Sequence, residues 1–152
     1  MIDFAKGLYA GEHRHNLDAK KRLTVPSKWR FSGDESALYL AFPDPSGCVT
    51  IYPPAMVEQF REKLTSVSLG DVEGQRAIMK LLRKAEQFTF DKSGRINLND
   101  RLYTHAGIDK EVVLVGTVNK FHLWEPSRYE SYLDAEDGDE GDLSGILTKL
   151  GL

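Results

Sequence analysis

The chain states one pattern twice. An alternating strand, the segment Asp18-Ala19-Lys20-Lys21-Arg22, a second short strand and a helix start near Pro26 return later in the same order. The second copy reads Asp91-Lys92-Ser93-Gly94-Arg95, again between two short strands, with a helix start after Asn99. Behind each copy stands another matched unit: Val49-Thr50-Ile51-Tyr52-Pro53-Pro54 answers Phe121-His122-Leu123-Trp124-Glu125-Pro126. One small β-rich module used twice within 152 residues points to an internal pseudo-dimer. A unit of this size buries roughly 70% of the surface its unfolded chain exposes, enough to fold unaided. No linker-like stretch divides it into independent domains.

Periodicity fills in the frame. Alternation predicts strands over 14–18, 23–25, 37–42 and 48–52, with Pro43-Asp44-Pro45-Ser46-Gly47 as a turn. Pro26 opens a short helix over 27–31, since a missing N–H costs nothing in a first helical turn. From Pro53 and Pro54 the period changes: Val57, Phe60, Leu64 and Val67 form an apolar helical stripe. Gly70-Asp71 ends it, and Asp71 caps a second helix striped by Ile78, Leu81, Leu82 and Ala85. The other face of that helix holds Arg76, Lys80, Arg83 and Lys84, which reads as a solvated surface at least as readily as a ligand site.

The second copy predicts strands over 87–90 and 95–98. A helix capped by Asn99 or Asp100 turns Leu102, Tyr103 and Ala106 inward and ends at Gly107. Strands over 111–117 and 120–124 follow, then a Pro126 helix with apolar Tyr129 and Leu133. The acidic run beyond is expected to be mobile, with Leu143, Ile146, Leu147 and Leu150 forming a last weak helix. Trp29, Trp124 and Tyr52 read as core. The expected divisions are an extension over 1–7, a first repeat over 8–70, a connecting helix over 71–86, a second repeat over 87–133 and an acidic tail over 134–152.

The formal net charge of −3 conceals an asymmetry. Asp134, Glu136, Asp137, Asp139, Glu140 and Asp142 crowd into one base-free run, without which the chain would carry +3. Residues 1–30 hold seven bases against three acids. The local distribution is what a polyanionic partner would meet. No apolar run approaches the ~18 residues of a membrane span, the start does not read as a signal peptide, and the single Cys48 fits a reducing cytoplasm.

Taken alone, an Asp-x-x-x-Arg loop is first a way to pin a turn, its carboxylate accepting N–H bonds and pairing with the Arg. Recurrence, and bases beyond what one Asp needs, favour a second role. An Arg held by a neighbouring carboxylate is preorganised for the bidentate contact with guanine O6 and N7, while lysines beside it serve phosphates. Catalysis finds little support. His13-x-His15 lacks an obvious third metal ligand, and no nucleotide loop, Cys-x-x-Cys or Gly-x-Ser-x-Gly occurs. No metal, cofactor or catalytic residue is expected.

Tyr9-Ala10-Gly11 with the stretch from Leu17 to Arg30, and the stretch from His105 to Gly116 with Asn119-Lys120-Phe121-His122-Leu123-Trp124, resemble the two halves of the MraZ family of bacterial transcriptional regulators. The resemblance covers about residues 8–133. It implies an α+β fold with a duplicated swapped-hairpin β-barrel core of the SpoVT/AbrB type, short helices and a central helical hairpin. It also implies a ring-like homo-oligomer that binds promoter direct repeats of the division and cell-wall gene cluster, its own promoter included. The family's Asp-x-x-x-Arg loops fall on Asp18/Arg22 and Asp91/Arg95. Two positions depart: Lys21 stands where the family usually places Gly, and Asn99 stands where the first copy has Pro26.

The expectation is therefore a cytoplasmic, nucleoid-associated DNA-binding regulator without enzymatic activity. Arg22 would read bases and Arg14, Lys20 and Lys21 hold phosphates. Lys92 and Arg95 would act likewise or serve structure and assembly, and Asp18 and Asp91 would orient the loops. The rival is an antitoxin-like protein-interaction module on the same fold, its basic loops meeting an acidic protein.

Overall fold

The structure, a computed structural model, describes residues 7–31, 36–134 and 143–152. Among these residues, eight strands and five helices follow the duplicated order. The first copy gives β1 (Glu12–Asn16), β2 (Arg22–Thr24), a 3-10 turn (Ser27–Trp29), β3 (Tyr39–Pro43), β4 (Val49–Tyr52), α1 (Pro54–Thr65) and α2 (Val72–Leu82). The second gives β5 (Glu86–Phe88), β6 (Arg95–Asn97), α3 (Asp100–Ala106), β7 (Glu111–Gly116), β8 (Phe121–Trp124), α4 (Pro126–Asp134) and α5 (Leu143–Lys149). The fold class is α+β, and none of the helices is long and apolar enough to cross a membrane among the described residues.

Six strands form one antiparallel sheet in the order β1-β7-β8-β4-β3-β5, and β2 pairs with β6 alone. Exchanging the two copies leaves this order unchanged. β1 joins β7 as β5 joins β3, while β4–β8 and β2–β6 pair each strand with its own counterpart. The expected closed barrel is not what forms among the described residues. β2 and β6 are three residues long and bond only to each other, so β1 and β5 remain separate edges of the larger sheet.

Strand alternation divides the apolar residues between two faces. Val112, Leu114, Phe121, Leu123, Val49 and Ile51 point to the main core, closed from the other side by Leu23, Val25, Ile96 and Leu98 of the ribbon region, by Trp29 and by Leu102, Tyr103 and Ala106 of α3. The opposite face carries Cys48, Val113 and Trp124 under Tyr129 of α4, and Phe42 and Tyr52 under Phe60 of α1. Tyr52 is thus half-buried, whereas Trp29 and Trp124 are buried.

Local signals behave largely as read. Of the two candidate caps for α3, Asn99 accepts the Leu102 N–H at 3.1 Å, and Gly107 ends the helix at φ 67°. Asp71 caps α2 through the Gly74 N–H at 2.9 Å. The apolar stripe of α2 is exposed in part. No α2 residue is buried, and Val72, Met79, Leu81 and Leu82 are exposed among the described residues. Leu133 is likewise exposed. The mobility expected of the acidic run falls on residues 135–142, outside those described.

Leu123 sits fully buried where β4 meets β8, opposite Val49. Leu123→Ala is expected to cost about 2–5 kcal/mol, the range for a buried leucine truncation that leaves a cavity. Urea unfolding should show a lower midpoint at unchanged slope; an unaltered midpoint would contradict the packing described.

Candidate nucleic-acid interface

Each Asp-Arg loop is built by one carboxylate. Asp18 Oδ1 accepts the backbone N–H of Lys20 at 2.9 Å and of Arg22 at 2.8 Å, and Oδ2 accepts Arg22 Nε at 2.7 Å. The turn closes with the Lys21 N–H on the Asp18 carbonyl and the Asp18 N–H on the Arg22 carbonyl. The second loop repeats this contact by contact. Asp91 Oδ1 accepts the N–H of Ser93 and of Arg95, both at 2.9 Å, and Oδ2 accepts Arg95 Nε at 2.8 Å. The N–H bond from Arg22, reinforced by its guanidinium, holds the Asp18 carboxyl below its ordinary range, and Arg95 does the same for Asp91.

The two loops flank the β2–β6 ribbon from opposite ends. Arg22 pairs with Asn97 and Thr24 with Arg95, so these four side chains share the outward face, while Leu23 and Ile96 are buried beneath. Arg95 Nη1 also lies 3.8 Å from Asp18 Oδ2, which brings the second loop's arginine to the first loop's carboxylate. Each Arg meets its own Asp through Nε, and Arg95 also shares its Nη1 with Asp18. Thr24 and Asn97 had gone unnoticed in the sequence; period-two alternation across β2 and β6 was the available signal.

The cations assigned to phosphates fall into two groups. Lys20 and Lys92 are exposed at the loops and make no ion pair among the described residues. Lys21 turns its ammonium to Asp100 Oδ1 at 3.1 Å while its carbonyl accepts the Tyr103 hydroxyl at 3.1 Å, so it joins the first loop to α3. Arg14 lies on β1 and meets Glu130 at 3.1 Å and Glu12 at 3.6 Å, which directs it toward α4 rather than the loops. Conversely, Arg30 comes from the first copy to pack its guanidinium across Gly94 of the second loop, where its Nε has no hydrogen-bond partner among the described residues.

A second polar cluster lies between β4 and β8. Ligand-capable atoms of Asp44, Cys48 and His122 lie within 4.8 Å of one another. The Thr50 hydroxyl fills their midst, at 2.8 Å from Asp44 Oδ2, 2.9 Å from His122 Nδ1 and 3.9 Å from Cys48 Sγ. Its one proton goes to Asp44, so His122 Nδ1–H donates to Thr50 and Nε2 accepts from Thr117 at 2.8 Å. Burial pushes the Cys48 thiol up to about 11, so it stays protonated and is a poor metal ligand. The cluster is a satisfied hydrogen-bond hub. Asp44, Cys48 and Thr50 are close in sequence and His122 is 72 positions from Thr50, its counterpart in the matched copies.

The chain is thus a duplicated α+β protein whose halves interleave to expose a ribbon with two carboxylate-anchored arginines. The chain belongs to the MraZ family. The family model described as "MraZ protein, putative antitoxin-like" matches residues 81–141. A "Transcriptional regulator MraZ" from Halothermothrix orenii is 30% identical over 95% of this chain and 100% of its own length. The protein of that name from Pediococcus pentosaceus is 32% identical over 95% and 100%, and the one from Lactobacillus delbrueckii subsp. bulgaricus 36% identical over 84% and 87%.

Two outcomes are expected. Lys21 and Gly94 occupy equivalent left-handed positions, φ 60° and 75°, but only Gly94 is covered by Arg30. Lys21→Gly should therefore shift stability by less than about 1 kcal/mol, trading relief of left-handed strain against an exposed ion pair. Gly94→Lys should cost more than about 1–2 kcal/mol, because it adds the strain and displaces Arg30. Equal effects in thermal denaturation would contradict this asymmetry. The second concerns His122, which burial holds below its usual 6.5 despite the opposing Asp44 charge. The unfolded chain takes up this proton near 6.5 and the folded chain only at lower pH, so stability is full above 6.5 and falls as pH drops below it. His122→Gln should lessen that slope, with His13, also lowered by burial, keeping a share; an unchanged slope in urea unfolding above and below 6.5 would refute the assignment.

Proposed function

We propose that this protein is a sequence-specific DNA-binding transcriptional regulator with no enzymatic activity. It acts as a homo-oligomer on promoter direct repeats of the division and cell-wall gene cluster, its own promoter among them, in the cytoplasm at the nucleoid. The observation that carries the reading is the ribbon itself. A two-stranded β-ribbon fits the major groove, and Arg22 and Arg95 stand on its outward face with their forks preset by Asp18 and Asp91. Lys20 and Lys92, beside them, meet the phosphates. Lys21 and Arg14 contribute there only by leaving Asp100 and Glu130. The names of the curated relatives support the regulatory part of the reading.

The interleaving of the copies, in which each lends its first strand to the other's third, agrees with a swapped-hairpin core of the SpoVT/AbrB type. The units are the repeats over 8–70 and 87–133, with the connecting helix over 71–86 between them, an extension over 1–7 and an acidic tail over 134–152. A ring places several such ribbons on successive repeats. The words "putative antitoxin-like" in the matched family's description favour the second reading, a protein-interaction module using the same basic loops.

Fluorescence anisotropy against promoter and scrambled duplexes distinguishes the two. Arg22→Ala and Arg95→Ala are each expected to lose about 1–3 kcal/mol on the promoter and to relax discrimination at one position. Lys20→Ala and Lys92→Ala should weaken all sequences alike, each reducing the log–log salt slope by about 0.9. Equal binding of scrambled and promoter DNA would overturn the proposal.

A further inference from the structure

Two helices of the chain are amphipathic yet bury nothing. They occupy the same place in the two copies, α2 after the proline-started α1 and α5 after the proline-started α4. Their beginnings match, Asp71-Val72-Glu73-Gly74 against Asp142-Leu143-Ser144-Gly145. Along α5 and just past its end, Leu143, Ile146, Leu147 and Leu150 recur at three- and four-residue spacing, all exposed. They form one stripe about 10 Å long. A short helix of this kind is marginal in water unless its apolar side is covered.

The chain also holds an apolar groove of about 460 Å³ where α1 and the end of α2 meet the β3–β5 edge of the sheet, lined by Leu40, Val57, Phe60, Leu64, Leu82 and Ala85 among others. Its surroundings are cationic. Arg61 lines the groove itself, and Arg76, Lys80, Arg83 and Lys84 stand exposed on and just beyond the helix that ends in it. The residues directly ahead of α5 in sequence are the acidic run from Asp134 to Asp142. Groove and stripe are thus matched in apolar character, and their flanks are opposite in charge. They do not meet within one chain, since every residue of α5 is exposed.

We infer that α5 of one copy seats its stripe in the groove of a second copy, a pairing favoured by the opposite charges of the sequence ahead of α5 and of that copy's α2. This deepens the homo-oligomer part of the proposed function and rests on it, but not on DNA binding. The contact joins two different surfaces, so each bound copy still offers its own groove to a third, and the assembly closes only if the rotation between copies makes a ring. The charged part of the contact weakens as salt shortens the Debye length below about 8 Å.

Disulfide mapping on the full chain tests it. Leu82→Cys at the groove and Leu147→Cys on α5 are both at partly exposed positions, and the native Cys48 is buried. When the two single variants are mixed and oxidised, cross-linked dimers containing one of each are expected to exceed like-with-like dimers. The chain carrying both cysteines should form a ladder of linked copies. Adding Ile146→Asp to the Leu147→Cys chain should lower the mixed product by about tenfold or more, since a carboxylate would enter the apolar groove. Circular dichroism checks that this chain remains folded. Like-with-like dimers alone, links confined within one chain, or no mixed product from a sample that light scattering shows to be oligomeric would overturn this docking. A chain that is monomeric at micromolar concentration would overturn the self-association it rests on as well.

Discussion

Neither copy can complete a sheet from its own strands, because within a copy only β3–β4 or β7–β8 pair, and every other ladder runs between copies. A lone two-stranded hairpin is marginal in water, so the backbone hydrogen bonds between copies are what turn two weak units into one stable sheet. The core follows from the same pairing. Leu23 and Val25 of one copy pack with Ile96 and Leu98 of the other beneath the ribbon, and Trp29 stacks obliquely on Phe121 at a centroid distance of 5.2 Å. The loops depend on it in turn, since β2 and β6 find their strand partner only in each other among the described residues.

On that frame the two carboxylates carry out a local task with a distant effect. Asp18 and Asp91 each satisfy through Oδ1 backbone N–H groups that a tight turn would otherwise leave unpaired, and through Oδ2 fix one end of a guanidinium. An arginine so held loses less rotamer freedom on meeting a ligand, which is the gain from preorganisation. Structural pinning and recognition are therefore compatible uses of one motif. The ribbon thus carries two anchored guanidinium groups, while six of the chain's 23 acidic residues crowd into the run from Asp134 to Asp142.

The duplication, the succession of strands along the chain and the Asp-Arg loops were legible because each leaves a local or repeated trace. Alternation marks strands, proline marks the starts of α1 and α4, and a recurring Asp-x-x-x-Arg marks the loops. What escaped was set by distance or by absence. Lys21 meets Asp100 across 79 positions and Arg14 meets Glu130 across 116, and no spacing rule spans such gaps. The barrel implied by resemblance gave way to an open sheet and a separate ribbon, because strand length, not pattern, decides whether edges close. The stripe on α2 was legible as a stripe but its exposure was not, since periodicity says which residues are apolar and not whether anything lies against them. Lys21 shows the converse: its place in the loop was visible, but the left-handed backbone it adopts was evident only beside Gly94.

Joining the two copies in one polypeptide has a consequence for dilution and for divergence. Separate chains interleaved in this way would come apart as their concentration fell, whereas a covalent tether holds each copy at an effective concentration of about millimolar or more whatever the amount in solution. The interleaved unit therefore has no dissociation limit of its own. Its halves are also free to differ, because a change in one is not forced on the other. Lys against Gly in the loops, Thr50 against His122 at the centre, and a basic against an acid-led terminal helix have made an almost twofold object into one with a distinct front and back.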